Sequence, residues 1–143
     1  ERVKTVVKLI SLMKTVMAQG TFDILHPGHV HYLKESAKLG DELTVVISRD
    51  SRVKHRKDLV FDEDERKEMV QALKPVDKAV LGSETDIYET VEKVNPDVIT
   101  LGYDQDHDRE DVKELAENTL DHEVEVLRIH GKGEYSSSQI KNR

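Results

Sequence analysis

The sequence predicts a doubly wound α/β fold, in which five parallel strands form a sheet with helices on both faces. Five short runs of β-branched and apolar residues alternate with stretches of helical periodicity. Unbroken apolar runs are typical of strands buried on both faces, and strands that alternate with helices at this spacing pair in parallel through right-handed crossovers. The 143 residues suit one such domain and are too few for two enzyme domains.

The apolar runs place the strands at residues 14–19, 43–48, 78–81, 98–101 and 124–129. After the first strand, Val30, Leu33 and Ala37 recur at helical spacing, and Gly40 is predicted to end this helix. In sheets of this kind, ligands bind beyond the carboxyl ends of the strands. The loops that follow the strands are therefore expected to form the binding site.

Three further helices follow from the same periodicity. The second runs from about residue 62 to residue 73 and opens with an acidic turn. The third spans residues 87–94, with Thr85 or Asp86 as its cap and Pro96 forbidding continuation. The fourth covers roughly residues 109–120. Each crossover between consecutive strands is thus predicted to contain one helix.

Composition narrows the classes of function. The formal net charge is −7, whereas a nucleic-acid binder normally presents a basic surface. The sequence has no cysteine, which excludes disulfides, thiolate metal sites and cysteine nucleophiles. No apolar run approaches the ~20 residues of a membrane span, and the lysine-interrupted first 18 residues do not resemble a signal peptide. We expect a cytoplasmic protein with neither nucleic acid nor membrane as a partner.

The clearest chemistry is predicted for residues 20–29, GTFDILHPGH, where the first strand passes into the first helix. His26 and His29 are three residues apart at a helix start, so both side chains can face one point. Gly28 and Gly20 carry no side chain and let a phosphate approach the backbone. Free N–H groups of the helix N-terminus are expected to point to the same place. Together these groups would stabilise phosphate oxygens that gain charge during transfer.

Two histidines at this spacing, taken alone, are also compatible with ordinary surface or core histidines. A zinc site would need a third ligand and usually an i, i+4 pair, as in HExxH, which is absent. The ten-residue context at a strand–helix junction is what favours a phosphate site.

This segment resembles the motif of the HxGH nucleotidyltransferases, a cytidylyltransferase-like superfamily with a Rossmann-like fold. Residues 72–83 (ALKPVDKAVLGS) and 101–105 (LGYDQ) look most like archaeal FAD synthases, which are single-domain FMN adenylyltransferases. The resemblance spans residues 13–143 and leaves residues 1–12 as an N-terminal extension of unknown role. It implies transfer of AMP from ATP to FMN, with Mg²⁺ or another divalent cation held mainly by the triphosphate and water.

The resemblance also implies roles for the residues of the motif. Nucleotide contacts are expected from Gly20, Thr21, Phe22, His26, Gly28 and His29. The two histidines are the predicted catalytic groups at the α-phosphate. Asp23 would position the acceptor or the hydrated magnesium, and Tyr135 is assigned to acceptor binding.

A basic loop at residues 49–57 follows the second strand of this acidic chain. The family has a mobile lysine in this loop that contacts the triphosphate, and Lys54 matches it best as a third catalytic residue. Arg56 or Lys57 could take that role, and an ordinary solvated loop is the alternative. Arg66 matches a family arginine that reaches the phosphates from a helix start, the alternative being a surface ion pair within its own helix.

Two more segments complete the expected nucleotide site. Gly102 and Asp104 lie in a turn that closes over the nucleoside in the family, although a tight turn needs such residues in any case. Ser137 and Ser138 match a family motif that binds the β- and γ-phosphates, with plain helix capping as the alternative.

Other functions stay open at this point. The acceptor could be glycerol 3-phosphate or a sugar phosphate, with cytidylyl or adenylyl transfer. A nucleotide-binding domain without turnover is the alternative of another class. Because relatives are often dimers, a homodimer is one expectation for the assembly, with ATP and FMN as the small-molecule partners.

Overall fold

A computed structural model describes residues 13–54 and 56–131 and confirms the predicted fold class. Within these residues, five parallel strands form one sheet in the order β3-β2-β1-β4-β5. The strands are β1 (Thr15–Gly20), β2 (Glu42–Ile47), β3 (Lys78–Leu81), β4 (Val98–Gly102) and β5 (Glu125–Ile129). Their ends lie within one residue of the predicted ones, because burial on both faces leaves an unmistakable apolar run.

The described helices are α1 (Pro27–Ala37), α2 (Glu63–Gln71), α3 (Ile87–Val94) and α4 (Arg109–Thr119), with 3₁₀ turns at Asp50–Arg52 and Arg56–Asp58. A capping box begins α2, since the side chains of Asp62 and Glu65 each accept from the other's backbone N–H. Asp86, rather than Thr85, caps α3 by accepting from the N–H of Tyr88. No helix in the described part of the chain is long and apolar enough to span a membrane.

Gly40 does not act as the predicted left-handed helix terminator. Helix α1 ends at Ala37, and its capping residue Lys38 is right-handed. A Cβ at Gly40 would lie 2.8 Å from the carbonyl oxygen of Lys14 and 2.7 Å from the side chain of Val16. Glycine is therefore required here by the close approach of the loop to β1.

Each face of the sheet has its own apolar core. Residues of α1 and α2, such as Leu33 and Val70, pack with Val16 and Val45 on one face. On the other face, residues of α3 and α4 pack with Met17, Val46, Ile99 and Leu101. The two cores hold the sheet between two helical layers and leave the carboxyl ends of the strands open.

The winding of the chain reverses between β1 and β4. Strands β1 and β2 pair along six residues, but β1 and β4 pair only through Val16–Val98 and Met17–Ile99. Beyond these pairs the two strands are no longer matched in the ladder. A reversal of this kind creates a crevice at the carboxyl edge of a doubly wound sheet, the usual position of a ligand site.

Candidate active site

A cavity of about 1040 Å³ lies at this crevice. It is lined by residues from the ends of β1, β2, β4 and β5, from the start of α1 and from the loop after β2. Predicted site residues on its wall are Gly20, Thr21, Phe22, Asp23, His26, Gly28, His29, Lys54, Gly102 and Asp104. Small-molecule pockets are typically about 300–1,000 Å³, so this cavity has room for a ligand of nucleotide size or larger.

The two motif histidines form a stacked pair at the start of α1. Their ring centroids are 3.7 Å apart at an interplanar angle of 24°. The ring of Phe22 meets the His29 ring edge-on, with centroids 5.2 Å apart, and stacks on Tyr32. Phe22 has a φ of 53°, and its ring lies only 2.8 Å from the position of a Cβ at Gly20. The left-handed backbone of Phe22 and the absence of a side chain at Gly20 thus place the Phe22 ring against His29.

Hydrogen bonding fixes the tautomer of His26. Its Nδ1 accepts from the backbone N–H of Gly28 at 3.1 Å, which caps α1. A nitrogen that accepts carries no proton, so the neutral ring bears its proton on Nε2. Burial lowers the pKa of His26, and the nearby Asp104 carboxylate partly opposes that change.

His29 is held neutral more strongly. Burial, reinforced by repulsion from His26, lowers its pKa to about 4, and a backbone hydrogen bond to Ile24 opposes the shift. At neutral pH both rings are therefore hydrogen-bonding groups rather than cations.

The expectation of free N–H groups at the start of α1 is wrong. Pro27 has no N–H, and the Gly28 N–H is bonded to the His26 ring. The N–H groups of His29 and Val30 both donate to the carbonyl of His26. The first turn therefore acts on an anion through its dipole and its two imidazoles.

Asp23 lines the cavity, but its carboxylate is used within the protein. The side chain is 3% exposed. Its oxygens accept from the backbone N–H groups of Val60 and Phe61 at 3.0–3.1 Å. In the structure the Asp23 carboxylate therefore anchors the loop before α2, and its expected role toward an acceptor or magnesium stays a prediction.

Arg66 is buried beside the cavity in this structure. Its side chain is 0% exposed and does not line the cavity. The guanidinium donates to Asp50 at 2.6 Å and to the carbonyls of Thr21 and Phe61 at 2.8 and 3.2 Å. Arg66 is thus not the surface helix partner considered as an alternative. It links the end of β1, the basic loop and the start of α2, and its contact with phosphate stays a prediction.

The basic loop divides into paired and solvent-facing cations. Arg49 donates to Glu63 at 2.8 Å and to the carbonyl of Gly82 at 2.7 Å. Lys54 is exposed and lines the cavity, whereas Lys57 is exposed outside it. Lys54 is therefore the described lysine of this loop that can reach a ligand. The side chain of Arg56, Tyr135, Ser137, Ser138 and the extension at residues 1–12 lie outside what the structure describes.

The turn after β4 is held from two sides. On the β5 side, Arg128 donates to the carbonyls of Gly102 and Gln105 at 2.7 and 3.0 Å, and to that of His107. On the β1 side, the Gln105 side chain bonds the end of β1. Asp104 thereby reaches the cavity wall near His26.

Several lining residues were not predicted as site residues. They are Gln19, His31, Tyr32, Ser48, Val53, Asp58, Leu59, Tyr103, Gln105, Asp106, His107, Ile129, His130 and Gly131. Tyr103 packs against Gly131 so closely that a Cβ there would lie 2.5 Å from the ring. Gln105 and Tyr103 belong to the LGYDQ segment, which the sequence analysis places in the nucleotide site. The spacing of the segment did not show which of its side chains line the cavity.

The described lining carries four aspartates against one lysine, so its formal charge is negative. An anionic ligand would be bound here by hydrogen-bond donors and a helix dipole rather than by net positive charge. The site offers two neutral imidazoles, a helix dipole and one exposed lysine at the same cavity. Among residues 13–54 and 56–131, no group of three or more His, Asp or Glu side chains could hold a metal ion. Groups placed in this way can stabilise charge that develops on a phosphoryl centre.

Comparisons with known proteins agree with this chemistry. Residues 17–143 match the family model described as cytidylyltransferase-like. A protein named FAD synthase from Methanolacinia petrolearia is 54% identical over 120 residues, which are 83% of this chain and 80% of that protein. The FAD synthase of Aciduliprofundum boonei is 57% identical over 105 residues, covering 71% of this chain and 69% of that one.

Solved structures share the fold. The crystal structure of the lipopolysaccharide core biosynthesis protein from Thermoplasma volcanium has a TM-score of 0.78 and 50% identity, covering 84% of this chain and 98% of that chain. A protein of unknown function from Archaeoglobus fulgidus has a TM-score of 0.64 at 20% identity, over 80% of this chain and 88% of that one. The second likeness concerns the fold alone.

Proposed function

The chain belongs to the cytidylyltransferase-like family of nucleotidyltransferases, and we propose that it is an FAD synthase, transferring AMP from ATP to FMN with release of pyrophosphate. The observation that carries the proposal is the stacked pair of neutral imidazoles on the cavity wall, in a chain about half identical to proteins named FAD synthase. Family membership supplies the reaction type, and the relatives' names supply the acceptor.

The reaction exchanges one phosphoanhydride bond for another. A phosphate oxygen of FMN attacks the α-phosphorus of ATP and forms the new bond. The bond from that phosphorus to the oxygen bridging to the β-phosphate breaks, and pyrophosphate leaves with the electron pair. Catalysis of such a transfer consists mainly of positioning and electrostatic stabilisation.

His26 and His29 stabilise the α-phosphate in this proposal. Because Nδ1 of His26 accepts from Gly28, the neutral ring carries its proton on Nε2, the nitrogen that donates to a phosphate oxygen in this proposal. His29, with a pKa of about 4, donates as a neutral ring. The transition state gains these hydrogen bonds in a partly buried site, where they are stronger than in water.

The other groups of the cavity bind the ends of the nucleotide. Lys54 contacts the phosphates that leave, and the turn bearing Gly102 and Asp104 receives the nucleoside. Mg²⁺ enters as part of the substrate MgATP, which keeps most of its ligands on phosphate and water. Ser137 and Ser138 remain the proposed contacts of the β- and γ-phosphates.

Pyrophosphate release with a panel of acceptors tests the proposal. The purified chain is incubated with MgATP or MgCTP and with FMN, glycerol 3-phosphate or a sugar phosphate, and the products are separated by HPLC. The similar Thermoplasma protein is called a lipopolysaccharide core biosynthesis protein, so acceptors other than FMN belong in the panel. FAD formed from ATP and FMN is the expected product.

A pair of histidine variants locates the chemistry. His29→Ala is expected to lower kcat by at least about a hundredfold, as removal of one preorganised donor commonly does. His122→Ala is the matched control, since this exposed histidine bonds Asn95 away from the cavity and should leave kcat within twofold. Product from CTP and glycerol phosphate, with none from ATP and FMN, contradicts the proposed substrates. Tight ATP binding with no turnover on any acceptor supports a non-catalytic domain instead.

A further inference from the structure

Backbone pairing between β1 and β4 stops where the cavity begins. After the Met17–Ile99 pair, the facing edges of the two strands still present the carbonyl of Gln19, the carbonyl of Thr100 and the N–H of Gly102. Backbone groups in a partly buried position need hydrogen-bond partners. At this point of the sheet the partners are side chains.

Two glutamines supply these hydrogen bonds. The Nε2 of Gln105 donates to the carbonyl of Gln19 at 2.8 Å, and its Oε1 accepts from the N–H of Gly102 at 3.1 Å. The Nε2 of Gln19 donates to the carbonyl of Thr100 at 2.7 Å and to Oε1 of Gln105 at 3.2 Å. We call this set the amide pair; it continues the strand pairing across the crevice with side-chain amides.

We propose that Gln105, through the amide pair, is a positioning residue for nucleotide binding that holds the turn at residues 102–105 against the end of β1. This inference rests on the proposed function, because it takes that turn to be the part of the cavity that receives the nucleoside. Gln105 itself acts through the turn, and its contribution is to keep one arrangement of that turn populated.

The surroundings of Gln19 show that its side chain is fixed in one orientation. The carbonyl of Thr100 accepts from Nε2 of Gln19 and also from the hydroxyl of Tyr32, each at 2.7 Å. Reversing the amide would set its oxygen against that carbonyl. The Oε1 of Gln19 is buried without a partner among the described residues, an unfavourable arrangement. The amide is therefore held by its donor contacts, to Gln105 among others.

The amide pair also connects the two walls of the cavity. Tyr32 belongs to α1, the helix that begins at the stacked histidines, and its ring stacks on Phe22. Gln105 belongs to the turn that carries Asp104, whose charge acts on His26. Loss of the pair would release the turn on its β1 side, while Arg128 would still hold it on the β5 side.

The test measures ATP affinity and kinetics separately. The variants Gln105→Ala, Gln19→Ala and the double variant are compared with wild type by titration calorimetry with MgATP and by steady-state kinetics. Gln71→Ala is the matched control, because Gln71 also bonds two backbone groups, the carbonyl of Asp77 and the N–H of Ala79, outside the cavity. It removes the same kind of hydrogen bonds without touching the turn.

We expect Gln105→Ala to weaken MgATP binding about tenfold, as when the binding-competent turn falls to a tenth of the population. The Michaelis constant for ATP should rise similarly, while kcat stays within threefold and the Michaelis constant for FMN within twofold. Gln19→Ala should have a similar effect. The double variant should bind MgATP at most about twofold more weakly than either single variant. Gln71→Ala should change thermal stability alone.

Wild-type MgATP affinity in both single variants overturns the inference, and so does full additivity in the double variant. If Gln105→Ala does not fold, Gln105→Glu takes its place, because it keeps the acceptor oxygen but loses the donor to the Gln19 carbonyl. It should weaken MgATP binding at least threefold, and unchanged affinity would contradict the inference. Because calorimetry uses no acceptor, the two proposals can fail separately. A wild type that makes no FAD while Gln105→Ala weakens MgATP binding overturns only the assigned reaction.

Discussion

The pKa of His29 makes the stability of the protein depend on pH in a way that one substitution should reveal. Burial lowers this pKa from 6.5 to about 4 in the folded chain. The unfolded chain therefore binds a proton at pH values where the folded chain does not. The contribution of His29 to the free energy of unfolding is fully present above pH 6.5. It is lost as the pH falls toward 4, because protonation of this ring favours the unfolded state.

The size of the effect follows from the two pKa values. Each pKa unit corresponds to 1.36 kcal/mol. Linkage therefore lowers the free energy of unfolding by about 2 kcal/mol at pH 5 and by about 3 kcal/mol at pH 4. Replacing His29 by glutamine removes this titration. The free energy of unfolding of wild type, relative to His29→Gln, should thus fall by about 2 kcal/mol between pH 7.5 and pH 5.

Urea denaturation at 25 °C, followed by circular dichroism at several pH values, measures this difference. His122→Gln serves as the control, because that histidine is exposed outside the cavity, and it should follow the wild-type pH dependence. A wild type and His29→Gln with parallel pH profiles would refute the conclusion that His29 is held neutral.

Three further substitutions test side-chain contacts that the structure shows. Asp23→Ala leaves two backbone N–H groups without an acceptor and should lower the free energy of unfolding by about 2–4 kcal/mol. Asp23→Asn should lower it less in urea denaturation, and equal losses would contradict an anchoring carboxylate. Arg66→Ala removes the hydrogen bonds to Asp50 and to two carbonyls and should lower the free energy of unfolding by about 2–3 kcal/mol, since Asp50 is 31% exposed. Calorimetry on the folded variant should give wild-type ATP affinity, and a tenfold weaker affinity would indicate that Arg66 is a phosphate ligand. Asp62→Ala removes half of the capping box of α2 and should cost about 1 kcal/mol, or roughly 4 °C in melting temperature by calorimetric scan, and an unchanged melting temperature would show that the cap contributes nothing.

The strands and helices were predictable because their signals are local. Apolar runs such as residues 98–101 announce strands buried on both faces, and acidic or proline residues mark the helix ends. The position of the cavity followed from topology, because ligands of doubly wound sheets bind at the carboxyl edge. The pairing of His26 with His29 followed from their spacing at a helix start.

The side-chain contacts that the sequence did not reveal join distant residues. Asp23 bonds backbone groups 37 and 38 residues away, and Gln105 bonds Gln19 across 86 residues. Nothing in the local sequence around Asp23 distinguishes a carboxylate that anchors a loop from one that meets a ligand. Arg66 shows the same limit, because its partner Asp50 lies in another element and only the folded chain brings the two together.

The short pairing of β1 with β4 has a consequence for motion. Two matched backbone pairs on this side, against six between β1 and β2, leave the amide pair to join the two strands at the cavity end. The pairing of β1 with β4 is thus a narrow strip of backbone hydrogen bonds, and the cores on both faces of the sheet pack across it. Amide hydrogens along the strip should exchange with deuterium sooner than those between β1 and β2, because local opening there breaks fewer backbone bonds. Local opening along this strip would widen the entrance of the cavity while the six pairs between β1 and β2 stay in place.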